Sequence, residues 1–369
     1  LAAELRPYQH DGFVWLARLA ELGAGACLAD DMGLGKTIMA LALLLRRARL
    51  GPALVVAPTS VCGNWAQEAW RFAPSLRVLR FGDGDRQATL ADLKPGDLLL
   101  CSYGLLVSES EALAGVAWST AVLDEAQHIK NPLSHTARAA KGLKSEKRLA
   151  LTGTPIENRL SEIWSIFDFV SPGLLGKLKE VEEKIARPID RGDEEAAERL
   201  RNTVKPFILR RLKIDVVDDL PEKIEQEIIV PLADEQNTLY QQILGEIRKS
   251  VLSEVDKAGV SKSQIQILAA LTRLRQVACD PRLMNVGDEA QFDDQHSGKL
   301  GALREIVQEA ISGGHRVLIF SQFVAMLKLM RDALDKDGVK YEYLDGSTKD
   351  RIERVDRFNE DDTNSVFLI

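Results

Sequence analysis

The sequence predicts an α/β protein built from two parallel-sheet lobes, each carrying a helical insertion. Three observations predict it. Five short apolar runs, "ALVVAPTS" (53–60), "DLLLCSYG" (97–104), "TAVLDEAQ" (120–127), "KRLALTGT" (147–154) and "RVLIFSQF" (316–323), each end in polar or small residues. Near-continuous Val/Leu/Ile text marks strands buried on both faces of a parallel sheet. Helical text lies between them, as in "TIMALALLLRRA" (37–48) and "GNWAQEAWRFA" (63–73). This alternation breaks off in mid-chain and resumes at Lys299, so the pattern occurs twice. In such sheets ligands sit beyond the carboxyl ends of the strands, so the polar tails of these runs are where chemistry is expected.

The chain divides accordingly. Residues 1–170 form the first lobe. Residues 171–221 form a charged helical insertion and linker, with text such as "KLKEVEEKIARPIDRGDEEAAERLRN". Residues 222–232 supply a first strand of the second lobe, from the β-like run "KIEQEIIVPL" (223–232). Residues 233–296 form a second helical insertion that runs into the polar stretch "NVGDEAQFDDQHSG" (285–298), read as a loop. Residues 297–369 form the rest of the second lobe, read as incomplete. No short-period repeat or low-complexity tract interrupts this order.

Composition bounds the function classes. At 369 residues the chain exceeds one ordinary core, and 45% apolar with 28% charged residues reads as soluble and globular. No apolar run approaches the roughly 18 residues of a membrane span, and no signal-peptide pattern opens the chain. It begins with Leu rather than Met, which reads as a piece of a longer protein. Cys27, Cys62, Cys101 and Cys279 lie far apart with no C-x-x-C pair, so neither a disulfide framework nor a zinc site is expected. The five histidines show no metal-ligand spacing, and a reducing cytoplasm fits best. A net charge of −7 argues mildly against nucleic acid. Phosphate contacts need only a local basic surface, however.

"DMGLGKT" (31–37) follows a short apolar stretch and opens a helix. It departs from the phosphate-loop formula, because Asp30 stands where the first Gly belongs. Backbone N–H groups of such a turn and of a helix N-terminus can cradle phosphates. Gly33 and Gly35 allow close backbone approach, Lys36 reaches the outer phosphates and Thr37 offers its hydroxyl to Mg²⁺. The alternative is a glycine-rich strand-to-helix turn with an exposed lysine. "AVLDEAQHIKN" (121–131) supplies the carboxylates that phosphate chemistry requires. Asp124 ends an apolar strand, as a metal-side acid should, and Glu125 beside it can orient or deprotonate a water. The alternative is an acidic strand end with Asp124 capping the next helix.

In order along the chain stand "LRPYQ" (5–9), "DMGLGKT" (31–37), "VVAPTSV" (55–61), "SYGLL" (102–106), "DEAQHIKN" (124–131), "LTGTPIEN" (151–158), "PFILRRLKIDV" (206–216), "VLIFSQF" (317–323) and "YLDGST" (343–348). This series resembles the SWI/SNF-type ATPases of the DEAD/DEAH helicase-like superfamily across essentially the whole chain. "DEAQHIKN" and "FILRRLK" carry the resemblance to that branch, while "GKT" and "TGTP" indicate only the superfamily, which does not require the first Gly of the loop. The resemblance implies two RecA-like lobes and a DNA-dependent ATPase. It implies ATP and Mg²⁺ as cofactors and double-stranded DNA as partner, followed without unwinding.

Position by position, the resemblance implies that Gln9 reads the adenine edge. Asp31, Met32, Gly33, Leu34, Gly35, Lys36 and Thr37 line the nucleotide. Thr37 and Asp124 hold the metal, and Lys36, Asp124 and Glu125 are catalytic. Gln127, Thr152, Gly153 and Thr154 couple the site to movement. Thr59, Ser102, Tyr103, Ser321, Gln322 and Phe323 touch the nucleic-acid backbone.

Basic clusters are candidates for that backbone contact: Arg46, Arg47 and Arg49; Lys144, Lys147 and Arg148; Arg210, Arg211 and Lys213; Arg273, Arg275 and Arg282. Solvated faces and internal ion pairs are the alternative for each. One of Arg210 and Arg211, in apolar surroundings, is expected to brace the insertion against a lobe. Trp15, Trp65, Trp70 and Trp164 read as core rather than base-stacking platforms. His128 and His135 do not read as ligands. No base-reading motif appears, so little sequence preference is expected.

The leading reading is a monomeric motor that drives along duplex DNA and acts on protein–DNA complexes. Its expected place is a prokaryotic cytoplasm at the nucleoid, or the nucleus if the source is eukaryotic. A strand-separating DNA or RNA helicase is the alternative. A phosphate-loop kinase and a non-catalytic scaffold are disfavoured by the second lobe and by the intact Lys36, Asp124 and Glu125. The family continues past "VFLIS" with a Gly-rich motif and an Arg-containing motif, whereas this sequence stops at "SVFLI" (365–369). Arginines supplied to the γ-phosphate are worth about 10³–10⁵ in rate. Residues 1–369 alone are therefore expected to hydrolyse ATP slowly, and a steady-state phosphate-release assay giving full family-level turnover would contradict this.

Overall fold

A computed structural model of the chain describes residues 1–153, 160–216, 224–258, 263–284 and 292–369. Two compact units are present, Leu1–Glu222 and Lys223–Ile369. The first holds a seven-stranded sheet: β1 (Ala26–Leu28), β2 (Ala53–Ala57), β3 (Arg77–Arg80), β4 (Asp97–Ser102), β5 (Ala117–Leu123), β6 (Lys144–Leu151) and β7 (Ile208–Leu209). Its order is β3-β4-β2-β5-β6-β1-β7. Every pairing is parallel, so all carboxyl ends share one rim.

The alternation of side chains across the pleat explains the continuous apolar runs. Val55 and Val122 face one core with Leu28, Met39 and Trp65. Leu54, Val56, Ala121 and Leu123 face the other with Trp118 and Phe169. A strand covered on both faces has no polar side, and all five residues of β2 are buried. The edge strand β3 differs. Arg77 and Arg80 are exposed there, and Arg77 donates in a fork to Asp97, Nε to Oδ1 at 2.8 Å and Nη2 to Oδ2 at 2.6 Å. Charge on an edge opposes pairing with foreign strands.

Three helices position the rim: α1 (Pro7–Glu21), α2 (Lys36–Arg47) and α3 (Thr59–Phe72). In α2 every residue from Ile38 to Leu44 is buried, which is why its text is apolar all round. Ser102 begins the helix Tyr103–Ser108 by accepting the Leu105 N–H at 3.3 Å. Ser134 does the same for His135–Gly142.

The insertion expected over 171–221 is helical, with Glu194–Val204 its longest helix, but the chain then returns to the sheet. Ile208 and Leu209 pair with Cys27 and Leu28, so the FILRR text is the seventh strand rather than a linker.

The second unit holds β8 (Val317–Ile319), β9 (Tyr341–Tyr343) and β10 (Val366–Leu368), all parallel, in the order β8-β10-β9. Helices Gly298–Ser312 and Val324–Lys336 cover it with Leu300, Val307, Met326, Leu327 and Met330. Helices Asp234–Ala258 and Gln264–Cys279 lie in the stretch read as a second insertion. Of the polar stretch 285–298, residues 285–291 lie outside the described residues, Asp294–His296 is a short 3-10 turn and Gly298 opens a helix.

The first strand expected at 222–232 is not formed in its described part. Residues 224–233 are irregular, and Ile224, Ile228 and Ile229 are exposed. β-like text makes a stable strand only within a larger sheet or against a packed face. Among the described residues, no helix is long and apolar enough to cross a membrane.

Candidate functional site

Read along the shared rim, the loops after β4, β2, β5, β6, β1 and β7 lie side by side, and they carry most of the first-unit residues singled out by the sequence. Ala57 and Ser102 are in register, which places Thr59 and Ser102 on neighbouring strand ends. Asp124 follows β5, Thr152 follows β6, and the phosphate loop follows β1.

The phosphate loop turns on Gly33 and Gly35, whose φ angles are +83° and +79°. That left-handed region is open to glycine without strain. A Cβ on Gly35 would also lie 2.4 Å from Gln9 Nε2. Gln9 itself is tied to the loop: Nε2 donates to Leu34 O at 3.3 Å, and Oε1 accepts the Arg6 N–H at 3.0 Å. Lys36 folds back on the loop, its Nζ donating to Asp30 O at 2.7 Å and Asp31 O at 3.1 Å. Burial lowers the Lys36 pKa, opposed by Asp30, Glu125, Asp124 and Asp31. Thr37 is the second residue of α2 and half-buried. Leu34 is buried, whereas Met32 is exposed and packs against Gly153, where a Cβ would lie 2.8 Å from Met32 Cγ.

Asp30 occupies the missing-glycine position for a structural reason. It is fully buried and accepts three donors from Arg211: the backbone N–H at 2.9 Å and Nε at 3.0 Å on Oδ1, and Nη2 on Oδ2. Arg211 Nη1 donates to Tyr8 O, and the guanidinium lies 5.5 Å from the Tyr8 ring centre. The β7 segment continues along the loop, with Asp31 N donating to Arg211 O at 3.0 Å and Lys213 N to Asp31 Oδ2 at 3.1 Å. The Asp31 side chain therefore accepts from the segment that follows β7. Arg211 is the bracing arginine, and Arg210 stays exposed.

Asp124 is held on both oxygens. Trp65 Nε1 donates to Oδ2 at 2.8 Å, and the Glu125 N–H donates to Oδ1 at 2.9 Å. Its pKa is raised, first by burial, while those two donors pull it down. Glu125 is the one non-glycine with positive φ among the described residues, at φ +50° and ψ +56°. Such strain costs on the order of 1–3 kcal/mol and gathers at functional sites. Gln127 Nε2 donates to Glu125 Oε2 at 2.8 Å, and Thr152 Oγ1 donates to Gln127 Oε1 at 3.3 Å. The acidic pair is thus linked to the end of β6. Thr154 lies outside the described residues.

Several expectations are corrected. Tyr103 is buried, with its hydroxyl donating to Asp124 O at 2.7 Å and its ring stacked on His128 at 4.6 Å. Its side chain braces the acidic box instead of facing a nucleic acid. Trp70 is not core, being 80% exposed, because Trp65 and Ala69 carry the buried face of α3. Trp164 lies under Lys141, 4.4 Å from the ring centre. Arg47 is buried and donates to Thr120, Ser119 and Glu146, and Arg148 donates to three backbone carbonyls. Arg282 pairs with Asp280 and Asp294. These three are structural, while Arg49, Arg210 and Arg273 remain exposed.

In the second unit Ser321 Oγ accepts the Phe323 N–H at 3.2 Å. Gln322 accepts from Arg275, whose guanidinium lies 6.0 Å from the Phe323 ring centre.

Sequence reasoning missed the polar roles of Asp30, Trp65 and Tyr103. The only advance signals were an acid in place of glycine and aromatic groups whose buried N–H or O–H needs a partner.

The donor set suits magnesium. A hydroxyl and a carboxylate are hard oxygen ligands, and Mg²⁺ takes few protein ligands beside phosphates and water. Among the described residues, no group of three or more His, Cys, Asp or Glu could hold a metal ion.

Comparison with known proteins matches residues 8–283 to the SNF2-related domain and residues 298–369 to the helicase conserved C-terminal domain. YwqA of Bacillus subtilis, by name a candidate ATP-dependent helicase/translocase, is 39% identical over 99% of this chain and 40% of its own length. The mouse SWI/SNF-related matrix-associated actin-dependent regulator of chromatin subfamily A member 1 is 35% identical over 99% of this chain and 36% of its own. The chain thus spans about two fifths of such relatives. A Sulfolobus solfataricus SWI2/SNF2 ATPase core, solved in complex with dsDNA, is 38% identical with a TM-score of 0.59, covering 100% of this chain and 78% of that one.

Breaking the Arg211–Asp30 pair leaves one buried charge unmatched, which costs about 3–5 kcal/mol. Arg211→Met should lower the first unit's stability to chemical denaturation by about that amount, and an unchanged midpoint would contradict the assignment. Burial raises the Asp124 pKa, so any nucleotide binding that needs this carboxylate ionised should weaken on acidification at a higher pH than an ordinary aspartate would allow. A fluorescent-nucleotide titration across pH reads this.

Proposed function

The chain belongs to the SNF2-related family, and on that premise we propose that it is the motor of an ATP-driven translocase that follows duplex DNA without separating its strands. The observation that carries the reading is the adjacency of Lys36, Asp124, Glu125, Gln127 and Thr152 on one rim, with Glu125 strained and bonded toward Thr152.

ATP would seat its phosphates on the N–H groups of the loop and of the first turn of α2. Lys36 would exchange the carbonyls of Asp30 and Asp31 for phosphate oxygens, which offer a full negative charge. Thr37 and Asp124 would hold magnesium, which when bound neutralises charge on the phosphate oxygens. Glu125 would take a proton from the attacking water, with Gln127 fixing its carboxylate. Gln127 and Thr152 would carry the resulting change to the end of β6. Gln9 would release Leu34 O and turn to the adenine. Thr59 and Ser102, on the same rim, and Ser321 to Phe323 in the second unit would meet the DNA backbone. Exposed Arg49, Arg210 and Arg273 would add to the field around it.

The Sulfolobus core crystallised with dsDNA supports a duplex substrate. The mouse relative is by name a regulator of chromatin, which supports protein–DNA complexes as targets. We extend the reading to a monomer working in the cytoplasm, or in the nucleus of a eukaryote. Strand separation is the second reading, favoured by the word helicase in the Bacillus relative's name. A triplex-displacement assay beside a duplex-unwinding assay separates the two: displacement without unwinding supports the proposal, and unwinding contradicts it.

Lys36→Ala in the longest natural form of the chain should abolish ATP hydrolysis while leaving duplex affinity within about twofold. Filter binding and phosphate release read both, and loss of DNA binding would show that Lys36 is not simply a phosphate ligand. Backbone contacts release counterions, so duplex affinity should fall steeply between low and moderate salt, by about tenfold or more for every few phosphates engaged. A flat salt dependence would contradict backbone binding.

A further inference from the structure

Trp65 is an expensive choice for a core position. Its ring is fully buried among Val55, Leu98, Leu100 and Val122, where an all-hydrocarbon side chain would pack without a polar atom to satisfy. A buried indole N–H must find an acceptor. Here the acceptor is Asp124 Oδ2, at 2.8 Å. The other oxygen, Oδ1, takes the Glu125 N–H at 2.9 Å. One donor on each oxygen holds the carboxylate plane and leaves each oxygen with lone-pair capacity to spare. The acceptor's backbone is fixed as well, with Asp124 N donating to Val56 O at 2.8 Å and Asp124 O accepting from Tyr103. Trp65 sits on α3, whose first residue is Thr59. The same rigid helix therefore carries a rim residue on the Ser102 side and the group that orients the acid.

We propose that the Trp65 indole is a positioning group that presets Asp124 for the magnesium that accompanies a nucleotide. The inference rests on the nucleotide reading above and deepens it. Partners behind a metal ligand orient it, and their loss lowers metal affinity by about 10–100-fold. Trp65 is fully buried and its indole N–H is bonded to Asp124, so its removal is expected to act on the metal requirement and leave metal-free nucleotide binding alone.

The test is a magnesium titration of nucleotide binding by the 369-residue chain, read by the fluorescence of a methylanthraniloyl-ATP probe, with an EDTA arm. Trp65→Phe keeps most of the apolar volume and deletes the donor. Trp118→Phe is the matched control, because Trp118 is equally buried and donates to Leu113 O at 2.9 Å, away from the acids. The expected result is a rise of about tenfold in the magnesium concentration at half-saturation for Trp65→Phe. The EDTA arm should be unchanged, and Trp118→Phe should behave as the unaltered chain. Equal magnesium dependence in all three proteins overturns the proposal.

Should Trp65→Phe not fold, ¹⁵N-Trp spectra of the unaltered chain decide. The Trp65 indole N–H, assigned with Trp118→Phe and the other single replacements, should shift with magnesium and nucleotide but not with nucleotide in EDTA. A resonance that stays put while nucleotide binds together with magnesium overturns the proposal. If the unaltered chain shows no magnesium-dependent nucleotide binding, the parent reading falls, a result distinct from equal behaviour of the variants.

Discussion

One buried ion pair holds the candidate site together. Asp30 sits directly before the phosphate loop with no solvent exposure, and an unmatched carboxylate there would both resist burial and repel phosphate. Arg211 removes both problems. Its fork and backbone N–H neutralise Asp30, its Nη1 ties down Tyr8 one residue from Gln9, and its chain runs on beside Asp31. The loop, the first helix and the exit strand from the first unit therefore share one fixed point. The carbonyls of Asp30 and Asp31 are the ones that accept from Lys36 Nζ.

From that fixed point the rim has a direction. Arg211 follows β7, Lys36 follows β1, Thr152 follows β6, the acids follow β5, Thr59 follows β2 and Ser102 ends β4. Asp124 stands in the middle, tied to the β2 side by Trp65 and to the β4 side by Tyr103. Glu125, beside it, carries backbone strain and reaches the β6 side through Gln127. A parallel sheet makes this possible, because its crossover connections bring every strand's carboxyl end, and the loop that follows it, to a single edge. The arrangement gives a physical meaning to motifs that are far apart in sequence.

Much of this was legible in the text of the chain. β2, β4 and β5 are buried on both faces, so their apolar runs are long and their polar tails abrupt. The loop and the acidic pair declare themselves by residue types that have few other uses together. What could not be read depends on partners distant in sequence. Nothing around Asp30 names Arg211, 181 residues away. Ile208 and Leu209 are too short a strand to show a period. Trp65 and Trp70 read alike in a helical window, yet one is core and the other is exposed, because a five-residue step turns Trp70 well away from the buried face. Tyr103 sits in a motif read as touching nucleic acid, but its side chain satisfies its hydroxyl inward. The β-like run at 223–232 reads as a strand, yet residues 224–232 are irregular in the fold.

The account stands or falls on what stimulates hydrolysis. The most direct measurement is the steady-state ATPase rate of the longest natural form of this chain, with duplex DNA, single-stranded DNA and RNA compared at equal nucleotide concentration. The account predicts strong stimulation by duplex DNA and little by the other two. Equal or greater stimulation by single strands or RNA, or hydrolysis indifferent to nucleic acid, would contradict it.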